Sequence, residues 1–378
     1  MRTGLGSLCL RARVGVASLA VAALALTAFA PAAPALPGKF WGVVPQTNPD
    51  ANEFQRLKSG GVDSLRIPIP WTGVQGVEGA APNWSQVDPL VAGATAAGIE
   101  VFPFLYGAPI WAVPADRSIS SNPPRYLPVR TGGQRAGWKA FVRLAVQRYG
   151  PTGSFWAENP GLPKRPIRIW QIGNEVNFKY FIARPNPVEY GKLVKLSYAV
   201  LKSVDRGARL ILSGLFARPA EARIKRGPRQ AYFATDFLEQ MYKRTPGIKR
   251  KFHGVALHPY TGTYKRLPRY IEDVRRVLAE NRDAGKSLYL TELGWSSEPP
   301  RRNNSFAKGL RGQVRELKGA FRLLRSNQRR WRLQRVHWFS IDDQQGSCNF
   351  CDGSGLFADG FLPKPSWFAY ARFAGGRP

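Results

Sequence analysis

Two glutamates stand at the ends of apolar, strand-like segments. Glu175 closes Ile-Trp-Gln-Ile-Gly-Asn-Glu at 169–175, and Glu292 lies in Leu-Tyr-Leu-Thr-Glu-Leu-Gly-Trp at 288–295. A carboxyl group held at the mouth of a buried strand is costly unless it has a partner or a reaction to serve. One such glutamate can simply complement a helix dipole. Two, on separate strands, make a carboxylate pair of the kind that breaks glycosidic bonds.

Short β-branched or aromatic runs alternate with longer amphipathic stretches along the chain, the pattern of βα units around a parallel sheet. Strands are expected at Phe40–Val44, Ser64–Ile69, Glu100–Tyr106, Ile167–Asn174, Arg209–Gly214, Gly254–His258, Ser287–Thr291 and Val336–Ile341. Helices are expected from the Asp50/Glu53 capping box, then over Trp84–Ala97, Gln134–Tyr149, Pro187–Val204, Ala231–Lys243, Pro268–Glu280, Ser305–Ser326 and Pro365–Phe373. Eight such units predict a single (β/α)8 TIM barrel over 36–378, whose chemistry gathers at the C-terminal ends of its strands. The Pro- and Gly-rich stretch 108–131 follows strand 3 and is expected to wall that face; 150–166 precedes strand 4 and is expected at the opposite end.

Only certain residues stand at strand C-termini. They are Arg66 on strand 2, Tyr106 on strand 3, Asn174 and Glu175 on strand 4, His258 and Tyr260 on strand 6, Glu292 and Trp295 on strand 7, and Trp338 on strand 8. Asp342 and Asp343 follow strand 8 and are expected in a solvated loop. The Asn174-Glu175 pair, the lone Glu292, the Arg-Ile-Pro of strand 2, the His-x-Tyr of strand 6 and the Trp of strand 8 resemble the retaining (β/α)8 glycoside hydrolases of clan A. The nearest resemblance is to family 39 and its bacterial relatives acting on exopolysaccharide, with family 5 cellulase-like enzymes next. It extends over nearly all of 36–378.

That resemblance implies Glu175 as acid/base and Glu292 as nucleophile, about 5–5.5 Å apart. Burial and the charge of Glu292 would raise the pKa of Glu175. Arg66 and Tyr260 would hold Glu292 ionised, and Asn174 would bind the sugar 2-hydroxyl. His258 would bind a hydroxyl or orient a carboxylate. Trp295 and Trp338 would offer ring faces to sugars, and Tyr106 would line the same site. The implied reaction needs no cofactor and no metal, and the sequence contains only three histidines.

The beginning of the chain reads as a secretory signal over 1–35. Arg2, Arg11 and Arg13 precede an apolar run at 14–30 and a small-x-small site at Ala33-Pro34-Ala35. An uncleaved anchor is the alternative. No later segment reads as a transmembrane span, so a secreted or envelope-associated protein is expected. Cys348 and Cys351, in Cys-Asn-Phe-Cys, then read as a disulfide staple. Zinc would need two further ligands, and a redox pair would suit a helix start better than this Gly- and Asp-rich loop.

The formal charge is +31, from 56 Lys and Arg against 25 Asp and Glu. Such a field attracts anions. Lys308, Arg311, Arg315, Lys318, Arg322 and Arg325 recur at helical spacing on one face, either as a solvated face or as an electrostatic dock for an anionic envelope surface. No Gly-x-Ser-x-Gly elbow, phosphate-binding Gly-rich loop or His-Glu-x2-His motif is present. A carbohydrate-degrading enzyme is therefore expected, with a barrel that binds carbohydrate without cleaving it as the alternative and a basic adhesin of nucleic acid or surfaces behind both. Sugar, linkage, endo or exo action and oligomeric state are not written in these motifs.

Overall fold

The computed structural model describes Met1 and residues 36–118, 124–223, 229–344 and 351–378. The expected signal segment, with Cys9, lies outside the described residues, as does Cys348 and with it the expected Cys348–Cys351 bridge.

Among the described residues, eight parallel strands close a barrel in chain order. They are β1 (Trp41–Val44), β2 (Ser64–Pro70), β3 (Glu100–Tyr106), β4 (Ile169–Asn174), β5 (Arg209–Phe216), β6 (Gly254–His258), β7 (Ser287–Leu293) and β8 (Leu333–Phe339). The seam is β1 against β8, with Gly42 beside His337 and Val43 beside Trp338. The (β/α)8 fold expected from the strand–helix alternation is thus present.

Local chemistry sets the helix starts. Asp50 Oδ1 accepts from the amide of Glu53 at 2.8 Å while Glu53 returns a bond to the Asp50 amide, so the capping box opens the helix Ala51–Ser59. Asn186 caps Pro187–Val204, whose first residue is a proline that has no amide hydrogen to leave unpaired. The helix expected from Ala231 begins at Ala234, and two others start four residues later than expected. Residues 84–87 form a turn, and the helix begins at Asp88, with Pro89 in its first turn. Residues 305–307 pair with the chain after β7 instead, through Ser296 and Phe306, and the basic helix begins at Gly309. Leu310 is consequently 49% exposed, whereas Leu317, Phe321 and Leu324 are buried as the expected apolar face.

The core has two compartments. The larger fills the shell between strands and helices. A smaller cluster of Phe102, Ile211, Ala256 and Tyr289 packs inside the barrel. Below it, toward the strand N-termini, the interior is polar. Ser64 Oγ lies 3.0 Å from His337 Nε2 and 3.0 Å from Arg335 Nη1, and Arg335 pairs with Glu100. No helix among the described residues is long and apolar enough to cross a membrane.

Gly42 is confined by this interior. A Cβ there would lie 2.4 Å from His337 Cδ2 and 2.6 Å from the Ser64 carbonyl oxygen. Backbone cannot yield as a flexible side chain does, so Gly42→Ala should destabilise the barrel by about 1–3 kcal/mol. Urea denaturation of the variant beside the parent checks this, and an unchanged midpoint would show that the seam has slack.

Candidate active site

Arg66 comes from the middle of β2 and points into the barrel, fully buried. Its three nitrogens each find an acceptor. Nη1 donates to Glu292 Oε1 at 2.8 Å, Nη2 to Asn174 Oδ1 at 2.6 Å and Nε to Gln171 Oε1 at 3.3 Å. Its guanidinium carbon also sits 4.1 Å from the centre of the Phe104 ring. A cation buried this deeply is tolerable only when paired and hydrogen-bonded on every side.

Glu292 is held at both oxygens, by Arg66 at Oε1 and by the Tyr260 hydroxyl, which donates to Oε2 at 2.9 Å. Glu175 stands opposite on a left-handed backbone, φ +42°. That conformation costs a non-glycine residue about 1–2 kcal/mol. The amide of Glu175 donates to the Gly214 carbonyl at 3.1 Å, which helps to anchor the turn. His258 joins the two carboxyls: Nδ1 is 2.7 Å from Glu175 Oε1 and 3.4 Å from Glu292 Oε2, while Nε2 is 2.9 Å from Thr291 Oγ1. Gly214 makes room for this ring, since a Cβ there would lie 2.0 Å from His258 Nε2.

The electrostatics separate the two carboxyls. Burial pushes both pKa values up. At Glu292 the Arg66 charge and the hydrogen bonds from Tyr260 and Arg66 oppose the rise, whereas the charge of Glu292 adds to it at Glu175. Glu292 therefore ionises first and Glu175 keeps its proton well above the ordinary carboxylate range. Burial, reinforced by Arg66 and His337, holds the His258 pKa well below its usual value, so the ring is neutral.

One oxygen of each glutamate and a ring nitrogen of His258 lie within 4.8 Å of one another, a spacing that a metal ion could bridge. The chemistry of the donors opposes it. Both oxygens of Glu292 already accept hydrogen bonds, one of them from a guanidinium whose charge would repel a divalent cation.

The structure brings together Arg66, Asn174, Glu175, His258, Tyr260 and Glu292. Tyr106 is half-buried at the end of β3, its ring 5.0 Å from that of Phe104. The two tryptophans stand elsewhere. Along β8, Arg335, His337 and Phe339 face the barrel interior, so the strand's alternation turns Trp338 outward, where it is fully buried against Phe321 of the basic helix at 6.3 Å. Trp295 is also fully buried, donating to the Thr261 carbonyl at 2.7 Å and packing on Trp338 at 6.0 Å. Neither presents a ring face to a ligand, which corrects the expectation for both. The residue at the β8 mouth is Phe339, whose ring lies 6.4 Å from that of Tyr260. Gln171, Thr291 and Phe104 also belong to the site, through Arg66 and His258, and their types, ordinary in strands, gave no local signal.

Asp342 and Asp343 are half-buried and bonded rather than solvated. Asp342 accepts from Thr47 at 2.9 Å, and Asp343 from Lys364 at 2.8 Å.

The raised pKa of Glu175 gives stability a sign with pH. The folded state binds this proton more tightly than the unfolded chain, whose reference value is 4.5. Its contribution is complete below that value and is lost as pH rises toward the folded pKa. Glu175→Gln removes the titration, so the variant should gain stability relative to the parent between about pH 4 and pH 7, read by urea denaturation at both. A constant difference would show that Glu175 ionises normally.

No family model matches the sequence, and no curated protein does. Solved structures share the fold. A family 39 glycoside hydrolase from Bacteroides cellulosilyticus WH2 superposes with a TM-score of 0.64 at 21% identity, over 89% of this chain and 64% of that one. A monomeric beta-xylosidase from Caulobacter crescentus CB15 gives 0.60 at 19%, over 89% and 68%. A family 5 (GH5_18) protein from Bifidobacterium longum subsp. infantis gives 0.59 at 16%, over 90% and 79%. At these identities the likeness is one of fold, and the chain spans about two thirds of the length of the first two structures.

Proposed function

We propose that the chain is a retaining glycoside hydrolase. The observation that carries this reading is a pair of carboxyl groups with oxygens within 4.8 Å, one ion-paired to Arg66 and the other kept protonated. Carboxyls of inverting enzymes stand about 6.5–9.5 Å apart to admit a water, while about 5–5.5 Å suits direct attack.

Glu292 attacks the anomeric carbon as the glycosidic C–O bond breaks, and Glu175 passes its proton to the departing oxygen. Glu175, now ionised, takes a proton from water. That water attacks the same carbon, breaks the ester to Glu292, and returns the acid to its starting state. When the Thr291 hydroxyl donates to His258 Nε2, the single ring proton sits on Nδ1 and is donated to Glu175 Oε1. Oε2 is then left to carry the acidic proton. Asn174, fixed by Arg66, is placed to meet the sugar 2-hydroxyl.

The substrate class follows from this chemistry: an oligo- or polysaccharide with O-glycosidic links. The beta-xylosidase that shares the fold makes xylan-derived sugars the first probes. The formal charge of +31 supports an acidic glycan or retention on an anionic envelope surface. The positive, then apolar, segment at 1–35 supports export, and export in turn supports a Cys348–Cys351 disulfide.

Reducing-end release from neutral and acidic plant and bacterial polysaccharides tests the activity. Glu292→Gln should lower release roughly 10⁴-fold or more while leaving the circular dichroism spectrum unchanged. Proton NMR of the first product should show the substrate's own anomeric configuration. Full release by Glu292→Gln, or an inverted product, would contradict the proposal.

A further inference from the structure

An aromatic strip leads away from the carboxylates. Tyr260, bonded to Glu292, lies 5.8 Å from the Phe216 ring; Phe216 lies 5.3 Å from Phe178, and Phe178 lies 4.7 Å from Tyr180. Tyr260 and Phe178 are buried, at 5% and 8%, Phe216 between them is partly exposed, and Tyr180 at the far end is 62% exposed, with Phe181 beside it at 36%. Tyr180 is the most exposed aromatic side chain among the described residues.

The segment that carries Tyr180 is fixed on both sides. Phe178 bridges to Ala231 and Ile182 to Arg125. Asn177 Nδ2 donates to the carbonyls of Phe216 and Tyr232, each at 2.8 Å, and the Lys179 ammonium donates to Gln230 Oε1 at 3.2 Å. An anchored loop has bonded backbone on either side of Tyr180 and yet leaves two adjacent aromatic rings in water. Exposed apolar surface continuous with a reactive centre is the mark of a binding surface.

We propose that Tyr180, with Phe178 and Phe216 leading to it, forms a sugar-binding subsite beyond the scissile bond. It would stack a pyranose ring of an oligosaccharide leaving group. Aromatic faces suit the apolar face of a sugar ring, and Tyr180 lies on the same loop as Glu175, the group that protonates the departing oxygen. The proposal rests on the hydrolase reading and deepens it: the substrate is a chain of several units, gripped on the side of the acid.

The test compares the parent, Tyr180→Ala and Tyr180→Phe on length-graded oligosaccharides, from disaccharide to hexasaccharide, of xylan and of any polysaccharide that the parent degrades. For the parent, kcat/KM should climb with length. Tyr180→Ala should lose about five- to tenfold on the hexasaccharide through KM, with little change on the disaccharide, and Tyr180→Phe should retain parent behaviour. Equal losses at every length, or none, would overturn the subsite while leaving hydrolysis standing. If the parent releases nothing, calorimetric binding of the same series to the parent and to Tyr180→Ala reads the subsite alone. Binding that strengthens with length and weakens in the variant supports it; undiminished binding overturns it, and no binding overturns both readings.

Discussion

The site depends on one buried cation. The Arg66 guanidinium lies inside the barrel with no exposure, and its three donors reach β4 twice and β7 once, through Gln171, Asn174 and Glu292. It thereby sets the charge of one carboxylate, the position of the neighbouring amide and the distance between two strands that are not adjacent. Losing one partner of such a pair leaves the other charged and dry, which costs about 3–5 kcal/mol. Fold and chemistry therefore share this residue.

The charges around it come out balanced. One cation, Arg66, faces Glu292, the carboxyl that ionises first although burial raises its pKa as well. The remaining groups, Glu175, His258 and Tyr260, are all pushed toward their neutral forms, with burial the largest cause for each. A second ionised carboxylate would lack a second cation. The same shortage that keeps Glu175 protonated gives the pair its asymmetry, one group ready to donate a proton and the other ready to attack. The barrel maintains this by closing against solvent and by small residues at tight points. Gly214 beside His258 is one; Gly173, where a Cβ would lie 2.6 Å from Val176 Cγ1, is another.

The strands were legible because their apolar runs and their βα spacing repeat, and Glu175 and Glu292 were legible because a carboxylate at the end of a buried strand stands out. What failed was parity. Trp338 and Phe339 are neighbours on β8, and a single residue decides which faces the interior; an aromatic run reads alike on both faces. Trp295 could not be placed because it lies just past the strand end, where alternation no longer applies. Thr291, Gln171 and Phe104 were hidden for a different reason. Their types are ordinary in strands, and their roles arise only from the neighbours that closure brings within reach. The aromatic strip from Tyr260 to Tyr180 draws on three separate strand ends, so no local pattern announces it.

The most direct test of the central claim needs no substrate. Protein labelled with carbon-13 at the glutamate δ-carbons can be titrated by NMR, with Glu175→Gln and Glu292→Gln to assign the two signals. The account predicts that the Glu175 signal titrates well above the ordinary carboxylate range, and that its midpoint falls when Glu292 becomes neutral. A Glu175 carboxyl that ionises in the ordinary range, or one indifferent to Glu292, would contradict the proton-sharing pair on which the proposed chemistry rests.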